Sequence, residues 1–91
     1  MYLHIGNDYM VNSRDIVGIF DIENSSTSGI TRDYLANAEK NRRVTYCTYE
    51  LPKSFVVCFD NGTLEEKVYV SQLNCATLLK RYKAIVNDIR N

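Results

Sequence analysis

Residues 54–71, SFVVCFDNGTLEEKVYVS, constrain the fold more than any other stretch. Asn61-Gly62 is the strongest turn signal in the chain, because both residue types tolerate positive φ. Before it runs Phe55-Val56-Val57-Cys58-Phe59, and after it Lys67-Val68-Tyr69-Val70-Ser71 alternates apolar and polar side chains. The pair reads as a β-hairpin whose second strand has one wet face. Glu65 and Glu66 are expected to lie outside its regular pairing, so that the loop is longer than two residues or the second strand starts late. The 55–59 run does not alternate, so both faces of that strand need cover. A helix of the same chain can take one face. The other calls for a second helix or another subunit.

After Ser71 the apolar period changes from that of a strand to that of a helix. Cys75, Leu78, Leu79, Tyr82, Ile85, Val86 and Ile89 fall on one continuous helical stripe. Asn74 is the expected N-cap, with Ser71 the alternative. Lys80, Arg81, Lys83, Asn87, Asp88 and Arg90 lie off the stripe, toward water or a polyanion.

Upstream, Tyr2-Leu3-His4-Ile5 alternates as a short strand, Gly6-Asn7-Asp8 forms a turn, and Tyr9-Met10-Val11 is placed to pair back. Ile16 to Phe20 is a second apolar strand, in which Gly18 suggests a bulge or a close backbone approach. Asn24 to Gly29 is a loop tract. Thr31 then caps a helix to about Lys40, with Ser28 a competing cap, and Ile30, Tyr34, Leu35 and Ala38 form its apolar face. Asn41-Arg42-Arg43 ends this helix with cations where its dipole favours them. Val44 to Tyr49 alternates as a further strand, and Pro52 breaks it. The chain is therefore expected to be a single α+β domain over residues 1–91. Its small, mostly antiparallel sheet has about five strands with two helices, in the order β-β-α-β-β-β-α.

Eleven basic and eleven acidic residues cancel, so whole-chain charge gives no support for a nucleic-acid partner, although a locally basic face is compatible with it. Cys47, Cys58 and Cys75 are an odd number at unrelated spacings, without a CxxC. With no signal peptide in view they read as buried thiols in a reducing compartment, and no metal site or cofactor is expected from them and His4. No apolar run is long enough to span a membrane. The scattered glycines build no phosphate loop, and the paired carboxylates Glu65-Glu66 fall in a hairpin, so no catalytic residue, small-molecule substrate or enzymatic activity is expected. Arg14, Arg42, Arg43 and Lys53 each precede or open a strand. Strand starts gathered at one sheet edge would make a basic rim able to hold phosphates without reading bases; ordinary solvated charge is the alternative. Tyr46, Tyr49 and Tyr69 could stack on bases, or serve as core and subunit-contact residues.

Several stretches together resemble the RemA/RemB family of bacterial extracellular matrix regulators. They are His4-Ile5-Gly6, Met10-Val11, Ser13 to Asp21 (SRDIVGIFD), Pro52 to Val57 (PKSFVV), and Val68 to Ser71 followed by Thr77, Leu78 and Arg81. The SRDIVGIFD stretch looks more like the RemB branch than the RemA branch. The resemblance implies a cytoplasmic, non-enzymatic regulator of biofilm matrix genes. By analogy with the RemA branch, it implies a homo-oligomeric ring that holds DNA on an arginine-bearing surface. RemA-type chains carry an arginine pair just before the position of Lys53, where this chain has Glu50-Leu51-Pro52. They carry another arginine one place after Arg14, where this chain has Asp15. The expected phosphate contacts are thus Arg14 and Lys53, with Arg42 and Arg43 compensating from the neighbouring loop. The alternative is a protein-interaction module of the same fold, without DNA binding, that uses Tyr46 and Tyr49.

Overall fold

Six strands and two helices form the protein in a computed structural model that describes residues 1–22 and 28–90, with residues 28 and 88–90 as backbone only. Residues 24–27 of the expected loop tract and the side chains of Asp88, Ile89 and Arg90 lie outside the described residues. Strands β1 (Tyr2–Gly6) and β2 (Tyr9–Asn12) pair as an antiparallel hairpin. A single 3-10 turn, Ser13–Asp15, leads into β3 (Ile16–Asp21). Helix α1 (Ser28–Lys40), β4 (Val44–Tyr46), β5 (Ser54–Asp60), β6 (Glu65–Ser71) and α2 (Cys75–Arg90) follow. The main sheet has the order β3-β5-β6-β4, antiparallel except for the parallel β4–β6 pair. The α+β class and the run of elements agree with the sequence. The expected single sheet is instead a four-stranded sheet with a separate two-stranded hairpin.

Strand β5 is buried on both faces, as its unbroken apolar run requires. Phe55 and Val57 pack with Val68, Val70 and Ala38 beneath α1. Val56 and Cys58 pack on the opposite face with Leu3, Ile5, Val11 and Leu78, under the β1–β2 hairpin and α2. The second face is therefore covered by elements of the same chain, and double burial of β5 does not itself demand another subunit.

Two buried serines join these layers. Ser54 and Ser71 face each other across β5 and β6. Ser71 Oγ donates to the Ile5 carbonyl at 2.6 Å and accepts from the Leu73 amide at 3.0 Å, while Ser54 Oγ donates to the Leu73 carbonyl at 2.6 Å. The bond to Ile5 fixes the hairpin onto the sheet. Gly6, at φ 132°, then turns the chain where an added Cβ would lie 2.6 Å from Gln72 Oε1. Only glycine meets both conditions without strain.

Helix α2 is capped as expected, with Asn74 Oδ1 accepting from the Thr77 amide at 2.8 Å. Leu78 on its stripe is fully buried and Tyr82 and Ile85 pack against the same cluster, whereas Leu79 stays at the exposed margin. Thr31, expected as the cap of α1, lies inside the first turn of a helix that begins at Ser28. Ile30, placed by its spacing on the apolar face, is 80% exposed.

The β5–β6 loop, residues 61–64, is longer than two residues, as the sequence suggests, but not because Glu65 and Glu66 are unpaired. Glu65 and Glu66 belong to the ladder, opposite Asp60 and Phe59. The positive φ falls on Leu64 (60°) and not on Asn61 or Gly62. Asp60 organises this longer loop: its Oδ1 accepts from the amides of Gly62 (2.8 Å) and Thr63 (3.3 Å), and its carbonyl accepts from Leu64 N (2.7 Å). Those amides hold the Asp60 carboxyl below its ordinary pKa. An aspartate side chain has thus replaced the backbone geometry that Asn-Gly alone would favour.

Replacing Ser71 by Ala orphans the Leu73 amide and the Ile5 carbonyl together. The expected loss is about 1–3 kcal/mol of stability, read as a lower urea midpoint at unchanged m-value.

Candidate functional site

The four sequence-derived cations do not gather at one edge of the sheet. Antiparallel pairing puts the start of β3, and hence Arg14, beside the end of β5. Lys53 lies at the other end of β3, where its carbonyl accepts from the Ile22 amide at 3.0 Å. Between them runs the length of β3, about 20 Å at a strand's ordinary rise. Arg14 and Lys53 are both exposed. The 3-10 turn fixes the backbone of Arg14, whose amide donates to Asn12 Oδ1 at 3.1 Å.

Arg42 and Arg43 divide into two roles. Arg43 Nη1 lies 3.2 Å from Glu66 Oε2, as an ion pair. Tyr34 donates its hydroxyl to the same carboxylate. Burial first, and then this bond, push the Tyr34 hydroxyl up to about 12. Arg43 Nε is buried without a hydrogen-bond partner among the described residues. Arg43 is thus engaged in joining α1, β4 and β6. Arg42 faces solvent instead. Its amide donates to the Glu39 carbonyl and that of Arg43 to the Ala38 carbonyl, each at 2.9 Å. With φ at 58°, Arg42 occupies the left-handed position that ends a helix in this motif, where glycine is usual. A non-glycine residue there costs about 1–2 kcal/mol. No fold-level need for an arginine side chain accounts for that cost.

A second feature was not visible in the sequence. Helix α1 sits toward the β6–β4 side of the sheet, with Ala38, Leu35 and Tyr34 over Val44, Val68 and Val70. The same face of β3 is left partly bare. Val17, Phe20, Ile30, Tyr34, Phe55 and Val57 line the resulting cleft of about 500 Å³. Val17 is 67% exposed and Phe20 45%. Phe20 stacks on Phe55 (centroids 5.1 Å apart), which stacks on Tyr34 (6.0 Å). Gly18, at the register shift its presence suggested, makes room for the Phe20 ring: an added Cβ would lie 2.6 Å from two ring carbons. The periodicity of Ile30 read as core because nothing local records how far the helix slides across the sheet.

The tyrosines and thiols also separate by environment. Tyr69 is half-buried against the core, while Tyr46 is exposed and donates to Glu39. Tyr49 is fully exposed on the irregular 47–53 segment, in which the Thr48 hydroxyl accepts from the Glu50 amide at 2.9 Å. The strand expected over 44–49 thus ends at Tyr46. Cys47 and Cys58 are buried free thiols pushed up to about 11 by burial, so they are neutral and unreactive at neutral pH. No cluster of three or more histidine, cysteine or acidic side chains suited to a metal occurs among the described residues. No described helix is long and apolar enough to cross a membrane.

The roles of the two arginines give opposite expectations. Arg43→Ala should lower stability by about 1–2 kcal/mol, because Glu66 loses its cation. Arg42→Gly should raise it by about 0.5–1 kcal/mol, because it relieves the left-handed backbone. Thermal denaturation of the two variants, monitored by circular dichroism, checks both signs.

Residues 2–82 match the family described as "Extracellular matrix regulatory protein A-like", RemA-like. The chain is also 38% identical over 81 residues to Extracellular matrix regulatory protein B of Bacillus subtilis (strain 168), covering 89% of each protein. The matched span includes the hairpin, the whole four-stranded sheet, α1 and the capped first half of α2, and it places this chain in the RemA-like family of extracellular matrix regulatory proteins.

Proposed function

We propose that this protein regulates extracellular matrix (biofilm) gene expression as a non-enzymatic, cytoplasmic homo-oligomer that holds DNA by its phosphates. The carrying observation is the similarity to Extracellular matrix regulatory protein B over nearly the full length of both chains. Arg14, Arg42 and Lys53 are the exposed phosphate contacts. Arg43 acts behind them, by fixing the end of α1 through Glu66. The left-handed backbone of Arg42 supports this reading, since strain kept without structural need points to function. Contacts spread over both ends of β3 in a chain of zero net charge are individually weak. Several copies on one duplex make them add, because each bound copy raises the effective concentration of the next.

In this reading the copies meet at the apolar cleft beside β3. Contiguous exposed apolar surface on a small protein marks an interaction site, and Val17, Phe20 and Ile30 form such a surface. The bulge at Val17 disrupts the free edge of β3, so the contact uses the face of the sheet and not strand addition. Phe20→Glu should convert the oligomer to a smaller species in light scattering. An unchanged mass would place the interface elsewhere.

Fluorescence anisotropy of a labelled duplex, over a salt series and with protein of known mass, tests the DNA reading. Binding should weaken steeply with salt. Replacing Arg14 and Lys53 by Ala should lower affinity on all sequences alike. A clearly oligomeric protein that fails to bind at low salt would favour the second reading, a protein-interaction module. The full exposure of Tyr49 beside the exposed Leu51 favours that alternative, in which Tyr46 and Tyr49 contact the partner.

A further inference from the structure

Charge is unevenly distributed over this electrically neutral chain. Helix α1 is balanced, with Arg32 beside Asp33 and Glu39 beside Lys40. Such interleaving of signs is what an ordinary solvated helix shows. Helix α2 differs. Over its length, Cys75–Arg90, it carries four cations, Lys80, Arg81, Lys83 and Arg90, against one carboxylate, Asp88.

Packing fixes the direction of these cations. Leu78 is fully buried, and Tyr82 and Ile85 pack on the same cluster, so the opposite side of the helix faces outward. Ala76, Lys80, Lys83 and Asn87 recur at helical spacing on that side, and all are exposed. With Leu79 and Ala84 they frame a shallow depression. Neither lysine is in an ion pair among the described residues. Arg81 is turned to the flank, where Nη1 donates to the His4 carbonyl at 3.0 Å and ties α2 to the hairpin.

We propose that the outward face of α2 is a second phosphate-holding surface, on which Lys80 and Lys83 contact the backbone of a DNA duplex. This rests on the DNA-binding reading above and adds to it a surface that Arg14, Arg42 and Lys53 do not reach. Two lysines one helical turn apart, with no ion pair and no carboxylate on their face among the described residues, suit a repeating polyanion. A lipid surface is a poorer fit, because the apolar stripe that would enter a membrane is spent on the core.

The test measures anisotropy of a fluorescein-labelled mixed-sequence duplex against the oligomeric protein across a salt series. It compares wild type, Lys80→Ala/Lys83→Ala, and a charge-matched control, Arg32→Ala/Lys40→Ala. Alanine favours helix, so the variants should fold as wild type does, and circular dichroism checks this. The α2 variant should bind about tenfold more weakly. The slope of log affinity on log salt should be shallower by about 2, one for each lysine withdrawn from a phosphate. The control should bind as wild type. Equal binding and slope for wild type and the α2 variant would overturn this inference and leave DNA binding standing. Equal weakening of the control would also overturn it, by tracing the effect to net charge alone. Failure of wild type to bind at low salt would overturn both readings.

Discussion

Everything in this fold answers to one constraint, the burial of β5 on both faces. Val56 is fully buried, as is Ser54 at the strand's start, while Phe55, Val57 and Cys58 are nearly so. Successive side chains of a strand point to opposite faces, so a single covering layer would leave half of them in water. Burying side chains of this size contributes roughly 1.5–3 kcal/mol each before entropy is subtracted. That is large for a chain of 91 residues, and it explains the three-layer arrangement. Helix α1 takes one face, and the β1–β2 hairpin with α2 takes the other. The hairpin could not fold stably alone. It is held by Leu3, Ile5 and Val11 in the core and by the Ser71 bond to the Ile5 carbonyl.

The two covers are unequal. The hairpin and α2 together span their face. A thirteen-residue helix cannot do the same for four strands. Its position is set on the β4 side by the ion pair of Arg43 with Glu66, and by the turn that sends the chain from Lys40 directly into β4. The bare strip therefore falls on the β3 side, beside Phe20 and Val17. The cleft is a consequence of chain connectivity, and filling it calls for something outside the described residues.

What was legible in the sequence was whatever local chemistry decides. The Asn74 cap, the α2 stripe, the Gly18 bulge and the unbroken apolar run of β5 all act within a few residues. What was illegible depends on partners distant in the chain. The hairpin at Asn61-Gly62 was legible, but the pairing of Glu65 and Glu66 with Asp60 and Phe59 was not. Strand β4 stops at Tyr46, and its parallel alignment with β6 depends on where α1 delivers it. Arg42 and Arg43 are indistinguishable as letters, yet one is strained and solvent-facing while the other is half-buried against a carboxylate 23 residues away. The basic rim is incomplete for a related reason: β3 and β4 start at the same end of the sheet, but β5 runs the other way and carries Lys53 to the opposite end.

That geometry bears on how a neutral protein could hold a polyanion. Net charge governs the long-range field, which salt screens beyond roughly 10 Å. At contact distance the local arrangement decides. Here acids concentrate where β5 turns into β6, at Asp60, Glu65 and Glu66, and two of the three are committed within the chain, Asp60 to backbone amides and Glu66 to Arg43 and Tyr34. Carboxylates bound in this way repel a phosphate less than free ones do, because their charge is already compensated nearby. Arg14, Arg42, Lys53 and the lysines of α2 all remain at the surface. A sum of zero over the sequence is thus compatible with exposed cations where Asp60 and Glu66 are already engaged within the chain.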